Sequence, residues 1–219
     1  MTEPAAWGRA RSSREGKDHE TRTALLERAA EVFATEGYAA TTIADITAAA
    51  GVSRASFYLY FTSKADVFAS VAVAVRDDFL AAHEMTGVDE TDPVALGRAS
   101  SAAFLRANTR HHDLMAVIEH QSLSDESIAA IWSEIRERPR RRMVRYVEQL
   151  TELGLASPAA DAESVATAVV GMFAEFAHQR ITDPLEFERT VDALNAMYLR
   201  LLGAEPLESD PMVLQDDPS

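Results

Sequence analysis

Leu25, Leu26, Ala29, Val32 and Phe33 recur at three- and four-residue spacing, which predicts a helix from about His19 to Glu36 that Gly37 ends. Two much shorter helical patterns come next. Ile43, Ile46 and Ala50 share one side of a helix that Thr41 or Thr42 can cap and Gly51 breaks, and Ser53 can cap a second, Arg54 to Tyr60, on which Phe57 and Phe61 share a face. A fourth helix opens at Thr62 or Ser63, where Ser63 and Asp66 stand at capping-box spacing, and runs through Val67, Phe68, Val71, Val75, Phe79 and Leu80 toward His83 as the only link to the rest of the chain. Asp92-Pro93 and Asp183-Pro184 pair an N-cap residue with a proline at the first helical position, so helices are expected near 93–108 and 184–202, the last closed by Gly203. Between them the pattern predicts helices near 112–121, 126–153 and 161–180, with Gly154-Leu155 as a C-terminal cap and a kink or break at Pro139. No segment alternates with period two. The fold class is all-α: two short helices around a glycine turn within an N-terminal three-helix domain, then a larger C-terminal helical domain.

The 219 residues are 47% apolar, enough for a sizeable core, and contain no cysteine, which excludes disulfide and thiolate chemistry and fits a reducing cytoplasm. Residues 1–18 read as a flexible basic arm carrying Arg9, Arg11, Arg14 and Lys17, not as a leader or anchor, and 205–219 as a disordered acidic tail. Apolar stretches such as Val165 to Ala177 fall short of the roughly 20 residues that cross a bilayer, so no membrane partner is expected. The net charge of −14 opposes DNA binding until its distribution is considered. Residues 1–70 hold eight Lys/Arg against nine Asp/Glu, so nearly all the acidity lies downstream. A near-neutral segment would bind duplex only weakly alone, and tight binding would need two copies engaged at once.

With Phe57 placed inward on a helical wheel, Ala55 and Leu59 point roughly opposite, flanked by Arg54, Ser56, Tyr58 and Tyr60. An outward strip of two apolar residues between hydrogen-bond donors suits a major groove: Ala55 and Leu59 can touch thymine methyls, Arg54 can fork onto a guanine edge, and tyrosine hydroxyls can reach phosphates. Lys64 adds a cation at the start of the following helix.

Gly51-Val52-Ser53-Arg54-Ala55-Ser56-Phe57-Tyr58-Leu59-Tyr60-Phe61-Thr62-Ser63-Lys64, with Ala34 to Tyr38 and Thr41 to Ile46 upstream, resembles the recognition segment of the TetR (tetracycline-repressor) family over about Thr21 to Phe68. The resemblance implies phosphate contacts from Thr42, Tyr58, Tyr60 and Lys64, and base-edge contacts from Arg54, Ala55 and Ser56. Leu59 departs from the polar or aromatic residue many members carry, which narrows readout there to apolar contact. The resemblance further implies a head over residues 19–66, an effector-binding and dimerisation domain over 67–204, a homodimer on palindromic double-stranded operator DNA, and repression relieved by a small molecule. Ala129 to Ile135 and Val165 to Phe173 resemble the mycobacterial ethionamide-resistance repressor subgroup, which implies a long apolar tunnel.

In the C-terminal domain, Val165, Val169, Met172, Phe173 and Phe176 suit a core while Ala168, Gly171 and Ala174 form a small-residue stripe. With Val191, Leu194, Tyr198 and Leu201 this predicts a two-fold four-helix interface. Candidate effector-lining residues are Phe104, Met115, Ile118, Trp132, Val170, Phe173 and Phe176, with Leu105 and Met143 beside them, a set that suits a hydrophobic ligand. The run Arg136, Arg138, Arg140, Arg141, Arg142 and Arg145 reads either as a solvated face paired with Glu134, Glu137 and Glu148 or as a site for an anionic group. His111, His112, Glu119 and His120 lack metal-ligand spacing, so no metal or cofactor is expected. No nucleophile motif, phosphate loop or zinc motif is present, which argues against an enzyme. A rival within the regulators is a DNA-binding dimer controlled by a protein partner, with no small-molecule effector.

Overall fold

A computed structural model describes residues 5–82, 84 and 87–204 of the chain. Among them are eight helices and no strand: α1 (Ala5–Ala40), α2 (Ile43–Ala50), α3 (Arg54–Tyr60), α4 (Lys64–Ala82), α5 (Pro93–Ser122), α6 (Glu126–Glu152), α7 (Ala162–Ala177) and α8 (Pro184–Leu202). None is long and apolar enough to cross a membrane.

The elements with polar caps begin where the sequence places them. Asp92 Oδ1 accepts from the backbone N–H of Val94 and Ala95, both at 3.0 Å, and Asp183 accepts from Glu186 at 2.8 Å, so both Asp-Pro pairs open helices. Gly203, at φ +58°, closes α8, and Gly154, at φ +70°, follows α6 with Leu155 N–H donating to the Leu150 carbonyl at 2.9 Å.

Three expectations change. The helix expected from about His19 starts at Ala5, so Arg9, Arg11, Arg14 and Lys17 lie on helical backbone; residues 5–18 are rich in Ala, Arg, Glu and Lys, all good helix formers. The separate helices expected near 93–108 and 112–121 are one 30-residue helix, because no glycine or proline interrupts Thr109 to Asp113. Pro139 sits inside a continuous α6, where Ile135 before it and Tyr146 and Val147 after it are buried and hold the helix through the lost backbone bond. The tail from residue 205 lies outside the described residues.

The chain divides into two compact units, the first containing Met1–Ala81 with Ala107–Glu137 and the second Ala82–Arg106 with Arg138–Ser219. α4 is therefore not the only link: α5 and α6 are each shared, and the chain passes between the units three times. In the first unit Leu25, Ala29, Phe33, Ile46, Phe57, Phe61 and Phe68 are buried, with the Phe33 and Phe68 rings edge-on at 4.9 Å. Each such large side chain contributes roughly 1.5 to 3 kcal/mol. The second unit packs Tyr146, Val147, Leu150, Val165, Val169, Tyr198 and Leu202 in one cluster, and Leu105, Ile181, Val191 and Leu194 in another against Phe104, Phe173 and Phe176.

Candidate DNA-binding and effector sites

Gly37 ends the regular part of α1 at φ +76°, a left-handed conformation that glycine adopts without steric cost. Past it the backbone turns into α2, and Thr41 Oγ1 donates to the Gly37 carbonyl at 2.7 Å. Thr42 caps α2 in a full capping box, accepting from Asp45 N–H while its own N–H donates to Asp45 Oδ2 at 2.8 Å. The Thr42 hydroxyl, donating to Asp45 Oδ2 at 2.7 Å, and then the Thr42 N–H hold the Asp45 carboxyl below its ordinary pKa. Gly51, at φ +65°, ends α2, and Val52 N–H reaches back to the Thr47 carbonyl at 3.0 Å. Ser53 then caps α3, accepting from Ser56 N–H at 3.0 Å. A two-turn helix, a glycine turn and a second two-turn helix are thus fixed by three local devices.

α3 buries Phe57 completely and presents the opposite side outward: Leu59 is 79% exposed, Tyr58 is 56% exposed, and Arg54 and Ala55 are exposed. An apolar residue that open to water contributes nothing to this unit's core, whereas in a groove it meets base methyls. Ser56 is half-buried and shares a hydrogen bond with Ser53 at 2.9 Å, and Thr42 is exposed beside Asp45.

Two residues assigned to phosphates from the sequence have partners within the protein. The Tyr60 hydroxyl donates to Asp18 on α1 at 3.2 Å; its pKa is raised by desolvation first and then by that carboxylate. Lys64 Nζ donates to the carbonyls of Tyr38 and Thr41, both at 2.8 Å, with Ala39 at 3.4 Å, and lies 4.5 Å from the centre of the Tyr38 ring. That ammonium gathers the carbonyls that Gly37 leaves at the end of α1, and the cation–π contact reinforces it. Tyr38 was missed in the sequence because nothing local ties it to a lysine 26 residues away.

The expected effector-lining residues separate into two groups. Phe104, Val170, Phe173 and Phe176 lie in the second unit, with Phe104 edge-on to Phe173 at 5.0 Å. Met115, Ile118 and Trp132 lie in the first, where Ile118 is fully buried. On α7, Val165 and Val169 are buried while Ala168, Gly171 and Ala174 are exposed. Of the arginine run, Arg140 pairs with Glu163 and Arg142 approaches Glu90 at 3.8 Å, while Arg136, Arg138, Arg141 and Arg145 are exposed. Glu134 pairs instead with Arg76 at 3.2 Å. His111 Nε2 hydrogen-bonds Asp78 Oδ2 at 2.7 Å, and Arg110 donates to the same oxygen.

A capped helix pair around a glycine turn, with an exposed donor-flanked strip on its second helix, defines a helix-turn-helix DNA-binding head carried by a helical protein. Residues 25–71 match the family model for bacterial regulatory proteins of the tetR family, so this segment is similar to the DNA-binding heads of that family. It is 36% identical over 81 residues to the HTH-type transcriptional regulator TtgR of Pseudomonas putida, covering 36% of this chain and 38% of the relative. The chain thus spans about two fifths of that curated relative. Over a longer stretch the likeness is one of fold. A tetR-family regulatory protein from Rhodococcus RHA1 superposes with a TM-score of 0.70 at 21% identity, covering 84% of this chain and 98% of its own. AibR, solved in complex with isovaleryl coenzyme A and operator DNA, superposes with a TM-score of 0.65 at 21% identity, covering 84% and 100%. The family model describes bacterial regulatory proteins, and the curated relative is a transcriptional regulator.

Proposed function

We propose that the chain is a ligand-responsive transcriptional repressor that binds a palindromic operator as a homodimer and is released by a hydrophobic small molecule. The observation that carries the DNA-binding part is the outward face of α3, where Arg54, Ala55, Tyr58 and Leu59 stand exposed on a helix capped at its start. Head residues 19–66 read the operator, and the domain from 67 to 204 holds the effector and the dimer contact. The exposed small residues Ala168, Gly171 and Ala174 of α7 allow the close helix approach of a two-fold interface. The fold's occurrence in AibR, which was solved with both an acyl-coenzyme A and operator DNA, supports pairing a small-molecule site with a DNA site. Likeness of residues 129–135 and 165–173 to the ethionamide-resistance repressor subgroup extends the proposal to an elongated apolar ligand.

Release follows if the effector binds the DNA-incompetent arrangement of the two heads more tightly than the competent one; equal affinity would shift nothing. Footprinting the full-length protein on genomic DNA tests the reading. The expected result is an inverted repeat whose half-sites lie about one helical turn apart, or a multiple of that. Replacing Arg54 by Ala should cost about 1 to 3 kcal/mol and relax one base position per half-site. A footprint without a repeat, or an Arg54→Ala loss equal on all sequences, overturns the assignment. Operator release by a protein and by no apolar small molecule would favour control by a partner.

A further inference from the structure

Three side-chain oxygens in the second unit are buried without a hydrogen-bond partner among the described residues: Ser101 Oγ, Asn195 Oδ1 and Tyr146 Oη. Ser101 is fully buried and Tyr146 is more than nine-tenths buried. Asn195 and Tyr146 border the contact of α5 with α8, and Ser101 lies one turn along α5 from it. Gly97 and Ser101 stand one turn apart on the same face of α5, and a Cβ added at Gly97 would lie 2.4 Å from Asn195 Oδ1 and 2.6 Å from the Tyr198 ring, both on α8. The Tyr146 hydroxyl lies beside that of Tyr198 without a well-formed hydrogen bond to it. One turn further along α5 comes Leu105, in the apolar cluster with Val191, Leu194, Phe104, Phe173 and Phe176. A polar strip therefore runs directly into an apolar one.

Leaving buried polar groups unpaired is costly, and the cost is removed when a ligand supplies the missing partners. Small-molecule sites have this composition, mostly apolar walls with a few placed polar groups. We propose that Ser101, Asn195 and Tyr146 receive the polar end of an uncharged, hydroxyl- or amide-bearing apolar molecule whose body lies against the Leu105, Phe104 and Phe173 cluster. The inference rests on the effector reading above and names the chemistry of that effector. Asn195 Oδ1 only accepts, so the ligand must donate at least one hydrogen, which a ketone or hydrocarbon cannot do. The serine and tyrosine hydroxyls can donate in return. Burial, and then Glu90, Asp92 and Asp89, push the Tyr146 hydroxyl up to about 12, so it stays protonated and its surroundings disfavour an anion. Arg98, on the neighbouring turn of α5, is engaged by Glu188 and Asp192. A carboxylate would find acidic neighbours here, unlike at the exposed arginines of α6.

The test measures binding of benzyl alcohol, benzamide, toluene and benzoate to the full-length dimer by thermal shift and by titration of the Asn195 side-chain amide resonances, alongside operator release. Benzyl alcohol and benzamide are expected to bind roughly five-fold more tightly than toluene, with benzoate weakest. In the Ser101→Ala/Tyr146→Phe double variant that preference should vanish while the protein stays folded, since replacing unpaired buried hydroxyls by apolar groups is close to neutral for stability. Toluene binding as well as benzyl alcohol, benzoate binding best, a preference that survives in the double variant, or no binding of any probe overturns the site. The two readings fail differently. Preferential alcohol binding without operator release upholds the site and overturns the effector reading, whereas release by toluene without preference upholds the effector reading and overturns the site.

Discussion

In the first unit, the starts of α2, α3 and α4 are closed by side chains three or four residues away: Thr42 with Asp45, Ser53 with Ser56, and Thr62 and Ser63 with Asp66. One long-range ammonium, from Lys64, completes the turn after Gly37. In the second unit surface ion pairs form, but Ser101, Asn195 and Tyr146 keep buried oxygens without a partner among the described residues. The two regions dispose of their polar side chains differently. A DNA-reading head needs its exposed side chains held on a fixed backbone, so its polar groups are committed to backbone caps. If the second unit takes a ligand, as proposed above, its interior needs polar groups that are buried yet uncommitted.

The contrast can be broken in four ways, from the largest expected effect to the smallest. Gly97→Ala places a methyl inside the Asn195 and Tyr198 contacts and should destabilise the second unit by about 3 kcal/mol, near the upper end for overpacking; urea unfolding measures it, and a neutral result would mean that α5 and α8 separate readily. Lys64→Met should cost about 2 kcal/mol, because the carbonyls after Gly37 lose a charged donor, and weaken operator binding only as far as it unfolds the head. Unchanged stability with weakened DNA binding would return Lys64 to the phosphate role its position in the sequence implies. Thr42→Ala should cost about 1 kcal/mol by removing the α2 cap, seen as faster amide exchange at the start of α2. Finally, His111 and then Arg110 hold the Asp78 carboxyl below its usual range. Its folded pKa lies below the unfolded value of about 3.9, so its stabilisation is present above that value and fades as pH falls toward the lower one. Asp78 is 39% exposed, so the loss should be small; an Asp78→Asn variant whose acid unfolding matches the wild type would show the pair to be without effect.

Devices contained within a few residues were readable in the sequence. Ser53 before Arg54 and Asp183 before Pro184 set helix starts that the structure places at the same residues, because an N-cap and its partner N–H lie within one turn. The inward face of α3 followed from Phe57 and Phe61 alone. Periodicity shows which face is buried but not what it meets. Phe104, Phe173 and Phe176 meet in one unit, while Met115, Ile118 and Trp132, equally apolar and equally periodic, fall in the other. Lys64 shows the same limit: a cation at a helix start suits a phosphate, and only the folded chain shows that the Tyr38 and Thr41 carbonyls also meet it. The buried strip did leave a trace in the sequence. Asn195 stands on the side of α8 defined by Val191, Leu194 and Tyr198, and a polar residue within an apolar stripe is a sign of a placed hydrogen-bonding group.

The sharing of α5 and α6 between the units bears on how such a protein can be recombined. A chimera joined near residue 66 or 82 would carry the helix-turn-helix but leave behind Ala107–Glu137, the segment that completes the same packed body and contributes the buried Leu114, Ile118, Ile128 and Ile131. Exchanging the first unit between chains of this fold therefore calls for three junctions, at about 81, 106 and 137, so that the transplanted part keeps its own interior. Drift of the two units is correspondingly less independent than their order along the chain suggests, since single point changes in α5 or α6 sit on helices that belong to both.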